Sequence, residues 1–168
     1  MMPIAILNLV SLLQQRAEDH PDELAYVFLS GQELIPTRLT YQQLDLQART
    51  IAAFLQSLEL RGERALLLYP PGLEFVAAFM GCIYAGVIAI PAYPPRMNRN
   101  ALRLASIAED CHASVALTTP AILPRFHGFR KRIPELENLR WVATGNLEPD
   151  LGNDWQELPL RDDSLAYL

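Results

Sequence analysis

The side chains able to do chemistry in this sequence are few and poorly grouped. The three histidines, His20, His112 and His127, are scattered. None falls in an HExxH or other paired-ligand spacing. A catalytic histidine needs a partner that fixes its tautomer, and the sequence supplies none beside any of the three. The reading is surface or helix-end residues. The two cysteines, Cys82 and Cys111, fit no metal spacing. Cys82 sits between Gly81 and Ile83 in an apolar run, without the positive charge that makes a thiolate reactive. Cys111 follows Glu109 and Asp110, whose charges are expected to raise its pKa.

Phosphate cradles are equally scarce. Neither G-x-x-x-x-G-K-[ST] nor G-x-G-x-x-G occurs. Pro70-Pro71-Gly72-Leu73 joins a strand to a helix, where backbone N–H groups can meet an anion. Its two prolines remove two of those donors, so it reads as a structural turn. The one basic cluster is Arg125, Arg130, Lys131 and Arg132, with His127 inside it. Such a cluster steers an acidic partner by charge, for instance a phosphopantetheine carrier, but at this length it reads as a solvated helix face. No residue is assigned a catalytic, cofactor-binding or metal-binding role.

Composition sets wider bounds. The chain has 168 residues, 51% of them hydrophobic and 20% charged, enough for one domain with its own core. The net charge of -5 excludes a nucleic-acid binder that works by clustered Lys and Arg. Two cysteines imply no disulfide framework, and a reducing cytoplasmic setting is expected. Met1 to Val10 is apolar but lacks the basic start and cleavage site of a signal peptide. Phe75 to Tyr93 carries no charge and is long enough to raise a membrane span. Gly81, Gly86, Pro91 and the β-branched Val87 and Ile88 argue instead for a buried helix followed by a buried strand.

The elements that would position these residues follow from local signals. Asn8 or Ser11 caps a helix to about Asp19, with Leu9, Leu12, Leu13 and Ala17 on one face and His20-Pro21-Asp22 as its end. Ala25–Leu29 and Leu34–Leu39 form a hairpin around Ser30-Gly31-Gln32-Glu33, and Pro36 puts the second strand at an edge or bulge. Thr40-x-x-Gln43 predicts a capping box for a second helix. Its buried stripe is Leu44, Ile51, Leu55 and Leu58, with Ala48 and Ala52 allowing close approach and Arg61-Gly62-Glu63 as its stop. Ala65–Tyr69 is a strand covered on both faces. Leu73–Ala85 is a helix ended by Gly86 in the left-handed conformation. Val87–Ile90, Ser114–Thr118 and Leu139–Ala143 are further strands. A loop spans 92–99, Asn100 caps a helix through Cys111, and 120–132 is helical in part. Thr144–Ser164 is polar and turn-rich, and Leu165–Leu168 opens a new apolar run. The alternation predicts an α/β fold, a layered βαβ domain with an N-terminal β-hairpin, as one unit over 1–168.

Three of these segments together resemble the adenylate-forming, or AMP-binding, superfamily. Leu39-Thr40-Tyr41-Gln42-Gln43-Leu44 is similar to its first core motif, L-[TS]-Y-x-E-L, with Gln43 for the usual Glu. The run from Tyr84-Ala85-Gly86 to Ile90-Pro91 is similar to the second, with Tyr84 for the usual Lys. Leu165-Ala166-Tyr167-Leu168 resembles the opening strand of the third, which in the family runs into a Ser/Thr/Gly-rich phosphate loop ending P-K-G. Ala92-Tyr93-Pro94-Pro95-Arg96 and Leu68-Tyr69-Pro70-Pro71-Gly72 resemble the fatty acyl-AMP ligase branch.

The resemblance implies the first subdomain of an adenylating N-terminal domain, ending where the phosphate-loop motif starts. For the parent enzyme it implies ATP and magnesium, a fatty acid activated as acyl-AMP, and an acyl carrier protein as acceptor. In the family the phosphate loop, adenine pocket, metal-binding acid, catalytic lysine and most of the acyl tunnel come later in the chain, and they match no position here. The piece alone is therefore expected to be inactive scaffold. Two alternatives stand beside this reading: a non-catalytic interaction module, or part of an acyl-CoA ligase or peptide-synthetase adenylation domain.

Overall fold

Asn8 starts the first helix by accepting hydrogen bonds from the backbone N–H groups of Val10 and Ser11 at 2.9 and 3.1 Å. The Ser11 hydroxyl in turn accepts from the Asn8 N–H, completing a capping box. These elements are taken from a computed structural model, which describes residues 8–31, 35–94, 101–130, 133–161 and 163–168. Helix α1 runs over Leu9–Asp19 and ends at His20, before Pro21. Its inward residues are Val10 and Leu13; Leu9, expected in the stripe, is exposed. The rest of the expected face holds, with Leu13 buried and Leu12 and Ala17 half-buried; at the first turn Val10 takes the core position instead of Leu9.

Strands β1 (Leu24–Ser30) and β2 (Ile35–Thr40) form an antiparallel two-stranded ribbon. Gly31 turns out of β1 at φ +71°; Gln32 and Glu33 of the expected turn lie outside the described residues. Pro36 pairs opposite Leu29 on a strand whose other side is unpaired, where its missing N–H costs nothing. The irregularity in the ribbon lies elsewhere, between Leu24 and Tyr26.

Helix α2 (Tyr41–Ser57) opens with the expected box: Gln43 N–H donates to Thr40 Oγ1 at 3.3 Å, and Thr40 N–H to Gln43 Oε1 at 3.0 Å. It stops at Leu58, earlier than Arg61-Gly62-Glu63, because Glu59 itself adopts a left-handed conformation at φ +57°. Strand β3 (Arg64–Leu68), helix α3 (Leu73–Ala85) and strand β4 (Ile88–Pro91) follow. Gly86 ends α3 at φ +65°, as expected. Helices α2 and α3 meet through small residues. A Cβ on Gly81 would lie 2.7 Å from Ile51 Cβ, so only glycine fits there.

Helix α4 (Ala101–Asp110), strand β5 (Val115–Thr118), helix α5 (Leu123–Arg130), a single turn α6 (Pro134–Glu137) and strand β6 (Arg140–Ala143) complete the second half. The cap expected at Asn100 lies outside the described residues. The sheet is all parallel, in the order β4-β3-β5-β6. One face packs on α1, α2 and α3 through Ala65, Leu67, Ala89, Val115 and Leu117. The other packs on α4 to α6 through Leu66, Leu68, Ile88, Ile90 and Ala116. Adjacent residues of β3 thus enter opposite cores, which is why that strand reads as an unbroken apolar run. The fold is the expected α/β layering with an N-terminal hairpin.

Thr144–Ser164 is more ordered than its polar composition suggests. It contains 3-10 helices at Thr144–Asn146 and Pro149–Asp154, the second lying on α2. Tyr167 then pairs with Ala89 in an isolated parallel bridge, so Leu165–Leu168 lies along the free edge of β4. No helix among the described residues is long and apolar enough to cross a membrane. The uncharged stretch 75–93 is divided between α3 and β4.

Candidate functional site

The chain order of the sheet fixes where a ligand would sit. Helix α3, which follows β3, packs on one face of the sheet, whereas α5 and α6, which follow β5, pack on the other. Since β3 and β5 are neighbours, their outgoing chains part, and a crevice opens at the carboxyl ends of the strands.

Hydroxyl groups tie this end of the sheet together. Thr118 Oγ1 donates to the Leu68 carbonyl at 2.7 Å. Tyr69 Oη lies 2.8 Å from Thr144 Oγ1. Thr144 Oγ1 also points a longer 3.4 Å contact at the Thr118 carbonyl, which leaves Tyr69 as donor in the shorter bond. Tyr69 is buried, and burial pushes its phenol above the ordinary range. It stays a neutral donor at physiological pH.

Beside these groups, at the carboxyl ends of β3 and β4, lies a cleft of about 300 Å³. Leu67 and Tyr69 form its floor, Pro70, Pro71 and Phe75 one wall, and Pro91, Ala92 and Tyr93 the other. Tyr93 is 85% exposed and stands between this cleft and a second one lined by Arg103, Leu104 and Ile107. The first cleft carries two phenols, Tyr69, whose hydroxyl is committed to Thr144, and the exposed Tyr93, and its lining has no carboxylate, imidazole or thiol. The cleft suits apolar matter better than proton transfer. A larger cavity of about 530 Å³ near Arg61 and Gly86 lies at the opposite, amino-terminal end of the strands. Ligands of open α/β sheets bind at the carboxyl end of the strands, where the first and second clefts both lie, the first of them beside the β3–β5 parting on its β4 side.

The other sequence candidates are dispersed. His20 is the C-cap of α1 and reaches Glu23 at 3.2 Å on the surface. His112 is exposed in a left-handed turn at φ +50° after α4. His127 belongs to α5, Arg125 is exposed, and Lys131 and Arg132 lie outside the described residues. Cys82 is fully buried in α3, and burial pushes its thiol up to about 12. The Cys111 thiol is also raised, chiefly by burial; Asp110 adds the smallest part, so the expected electrostatic cause is minor. The Pro70-Pro71-Gly72 turn is followed by Glu74 in the first turn of α3, whose charge opposes an anion at that terminus. No group of three or more His, Cys, Asp or Glu that could hold a metal ion occurs among the described residues.

Sequence reasoning missed two features. The aromatic cleft required knowing that β3 and β4 are neighbours. The second is a buried charge: Asp45, 5% exposed, accepts from Tyr84 Oη at 2.8 Å and pairs with Arg49 at 2.7 Å. Its signal was an acid one residue after Leu44 in the buried stripe of α2.

The family model described as AMP-binding enzyme matches residues 13–168. A medium-chain-fatty-acid–[acyl-carrier-protein] ligase, JamA of Moorena producens, is 41% identical over 96% of this chain and 28% of its own length. A long-chain-fatty-acid–AMP ligase, FadD32 of Mycolicibacterium smegmatis, is 30% identical over 96% of this chain and 26% of its own. Among solved structures, a fatty acyl-adenylate ligase from L. pneumophila, in complex with acyl adenylate and pyrophosphate, superimposes with a TM-score of 0.87 at 30% identity. That match covers 96% of this chain and 27% of that one. The chain thus spans little more than a quarter of the length of these relatives.

Proposed function

This chain belongs to the AMP-binding enzyme family, and from that premise we propose that it is the amino-terminal part of a ligase that activates a fatty acid with ATP. The fatty acid carboxylate attacks the α-phosphorus of ATP. An acyl–phosphate bond forms, the bond to the β-phosphate oxygen breaks, and pyrophosphate leaves. The acyl group then passes to the thiol of an acyl carrier protein and AMP is released. The observation that carries this reading is the 41% identity, over nearly the whole chain, to a fatty-acid–[acyl-carrier-protein] ligase. The apolar cleft at the carboxyl end of β3 and β4 supports an acyl chain as the ligand nearest this part of the molecule.

The described residues do not fit a magnesium ion, since no acidic or imidazole cluster converges. The groups that meet ATP and its metal belong, in this reading, to the part of the relatives' length that this chain does not span. We place the protein in the cytosol, on the two unpaired thiols of Cys82 and Cys111.

The test is pyrophosphate release with ATP, magnesium and a panel of medium- and long-chain fatty acids. The 168-residue chain should release none. A protein extended through the remaining length of its relatives should release it, and should load a carrier protein rather than free CoA. Turnover by the 168-residue chain alone, or an extended protein inert to every fatty acid, would overturn the reading.

A further inference from the structure

The connection from β6 to Tyr167 has to cross the entire sheet. Strand β6 is one edge, and Ala89, which pairs with Tyr167, lies on the strand at the other. The chain makes the crossing over the outside of α2, and its route is fixed by specific seats. Thr50 Oγ1 donates to the Leu46 carbonyl of its own helix at 2.9 Å and reaches the Pro149 carbonyl at 3.2 Å. Gly152 is buried against the same residue; a Cβ there would lie 3.0 Å from Thr50 Oγ1, so backbone rests directly on helix. The Gln56 amide binds the main chain of Gln156 with both ends. Its Nε2 donates to the Gln156 carbonyl at 2.7 Å, and its Oε1 accepts from the Gln156 N–H at 3.1 Å. That is the pair of bonds a neighbouring strand would make. Trp155 packs on Tyr84 with its ring tilted, centroids 5.1 Å apart, and donates its indole N–H to the Tyr84 carbonyl at 3.2 Å.

The segment that this connection delivers is held far more lightly. Ala89 N–H donates to the Ala166 carbonyl at 2.9 Å, and Leu168 N–H to the Ala89 carbonyl at 3.0 Å. The Tyr167 ring lies 5.8 Å from Phe79, while Leu165, Tyr167 and Leu168 remain exposed. Fixing four residues costs more conformational entropy than two backbone hydrogen bonds return, and of the four it is Ala166 that packs against the core. Much of the segment's order therefore comes from its attachment.

We propose that Pro149–Gln156 is a clamp on α2 that sets whether Leu165–Leu168 pairs with β4, with Gln56 and Trp155 as positioning residues for that strand. In the reading above, where this strand opens the nucleotide-binding motif, the clamp fixes the position of that motif. Coupling of this kind needs one ordered element whose seating both ends share.

Native-state hydrogen exchange on the 168-residue chain tests it, with Gln56→Ala and Trp155→Phe beside the unmodified chain. The Ala89 and Leu168 amides should exchange at least about tenfold faster in both variants, with the amides of β3 and β5 unchanged. Ala89 and Leu168 protection that persists while the Gln156 amide loosens would overturn the clamp. So would equal acceleration of every amide in Gln56→Ala, whose side chain lies outside the core and should leave the fold intact. The result does not depend on pyrophosphate release, so failure of the clamp and failure of the ligase reading are seen separately.

Discussion

Asp45 is a carboxylate buried between two donors, and its neighbours carry the cost of keeping it there. Tyr84 Oη and the Arg49 guanidinium each satisfy one oxygen. Tyr84→Phe removes one donor and leaves Asp45 Oδ1 desolvated without a partner, while Oδ2 keeps Arg49. Such a loss costs about 1–3 kcal/mol, read as a lower urea midpoint with an unchanged slope. Cys82 makes a different prediction. Its thiol is raised from 9.0 to about 12 by burial. The folded state therefore holds its proton where the unfolded chain has lost it. The stability this contributes is complete below pH 9 and falls as pH rises from 9 through 12, by up to about 1.4 kcal/mol per unit. The phenols of Tyr69 and Tyr84, also raised by burial, add to the loss from pH 10 upward. Between pH 9 and 10 a Cys82→Ala variant should lose stability less steeply than the native chain. In the native fold at pH 8, a thiol reagent should label the half-buried Cys111 before Cys82.

At the scale of elements, caps and helix contacts give opposite signs to similar substitutions. Thr40→Ala removes the acceptor for the Gln43 N–H and should cost about 1 kcal/mol in thermal or urea melts. Gly81→Ala pushes a methyl to 2.7 Å from Ile51, and should destabilise by about 1–3 kcal/mol despite the better helix former. Gly128→Ala, in α5 with nothing within 4 Å of the new Cβ, should be neutral or stabilising by up to about 1 kcal/mol. These elements also show what sequence can and cannot convey. The Thr40–Gln43 box and the Gly86 stop were legible because each is a pair of residue types at a fixed offset. The left-handed Glu59 was not, since nothing in its side chain asks for that conformation. The seating of Pro149–Gln156 depends on Thr50 and Gln56, about a hundred positions away in the chain. No local signal carries that pairing. The same holds for the cleft: Tyr69 and Tyr93 each lay in segments singled out by resemblance, but only the parallel pairing of β3 with β4 brings them to one cleft.

At the scale of the molecule, apolar side chains remain uncovered along the ribbon, where Tyr26, Val27, Leu29 and Ile35 are each about half exposed. This chain spans 28% of the length of the ligase relative, and an apolar face of this kind is one that further chain can cover. An extended protein should accordingly melt higher than the 168-residue chain, and bind less apolar dye per molecule; equal dye binding would mean that the ribbon faces solvent in both.

The pairing of Ala89 with Tyr167 also has a consequence for synthesis. Strand β4 leaves the ribosome early, whereas the residue that closes its free side emerges on the order of seconds later at ribosomal rates. Until then the nascent chain presents an unsatisfied row of main-chain groups, flanked by the apolar surface of α3. Slow translation between these two points would lengthen the interval in which a chaperone, or another nascent chain, can reach that row before Tyr167 does.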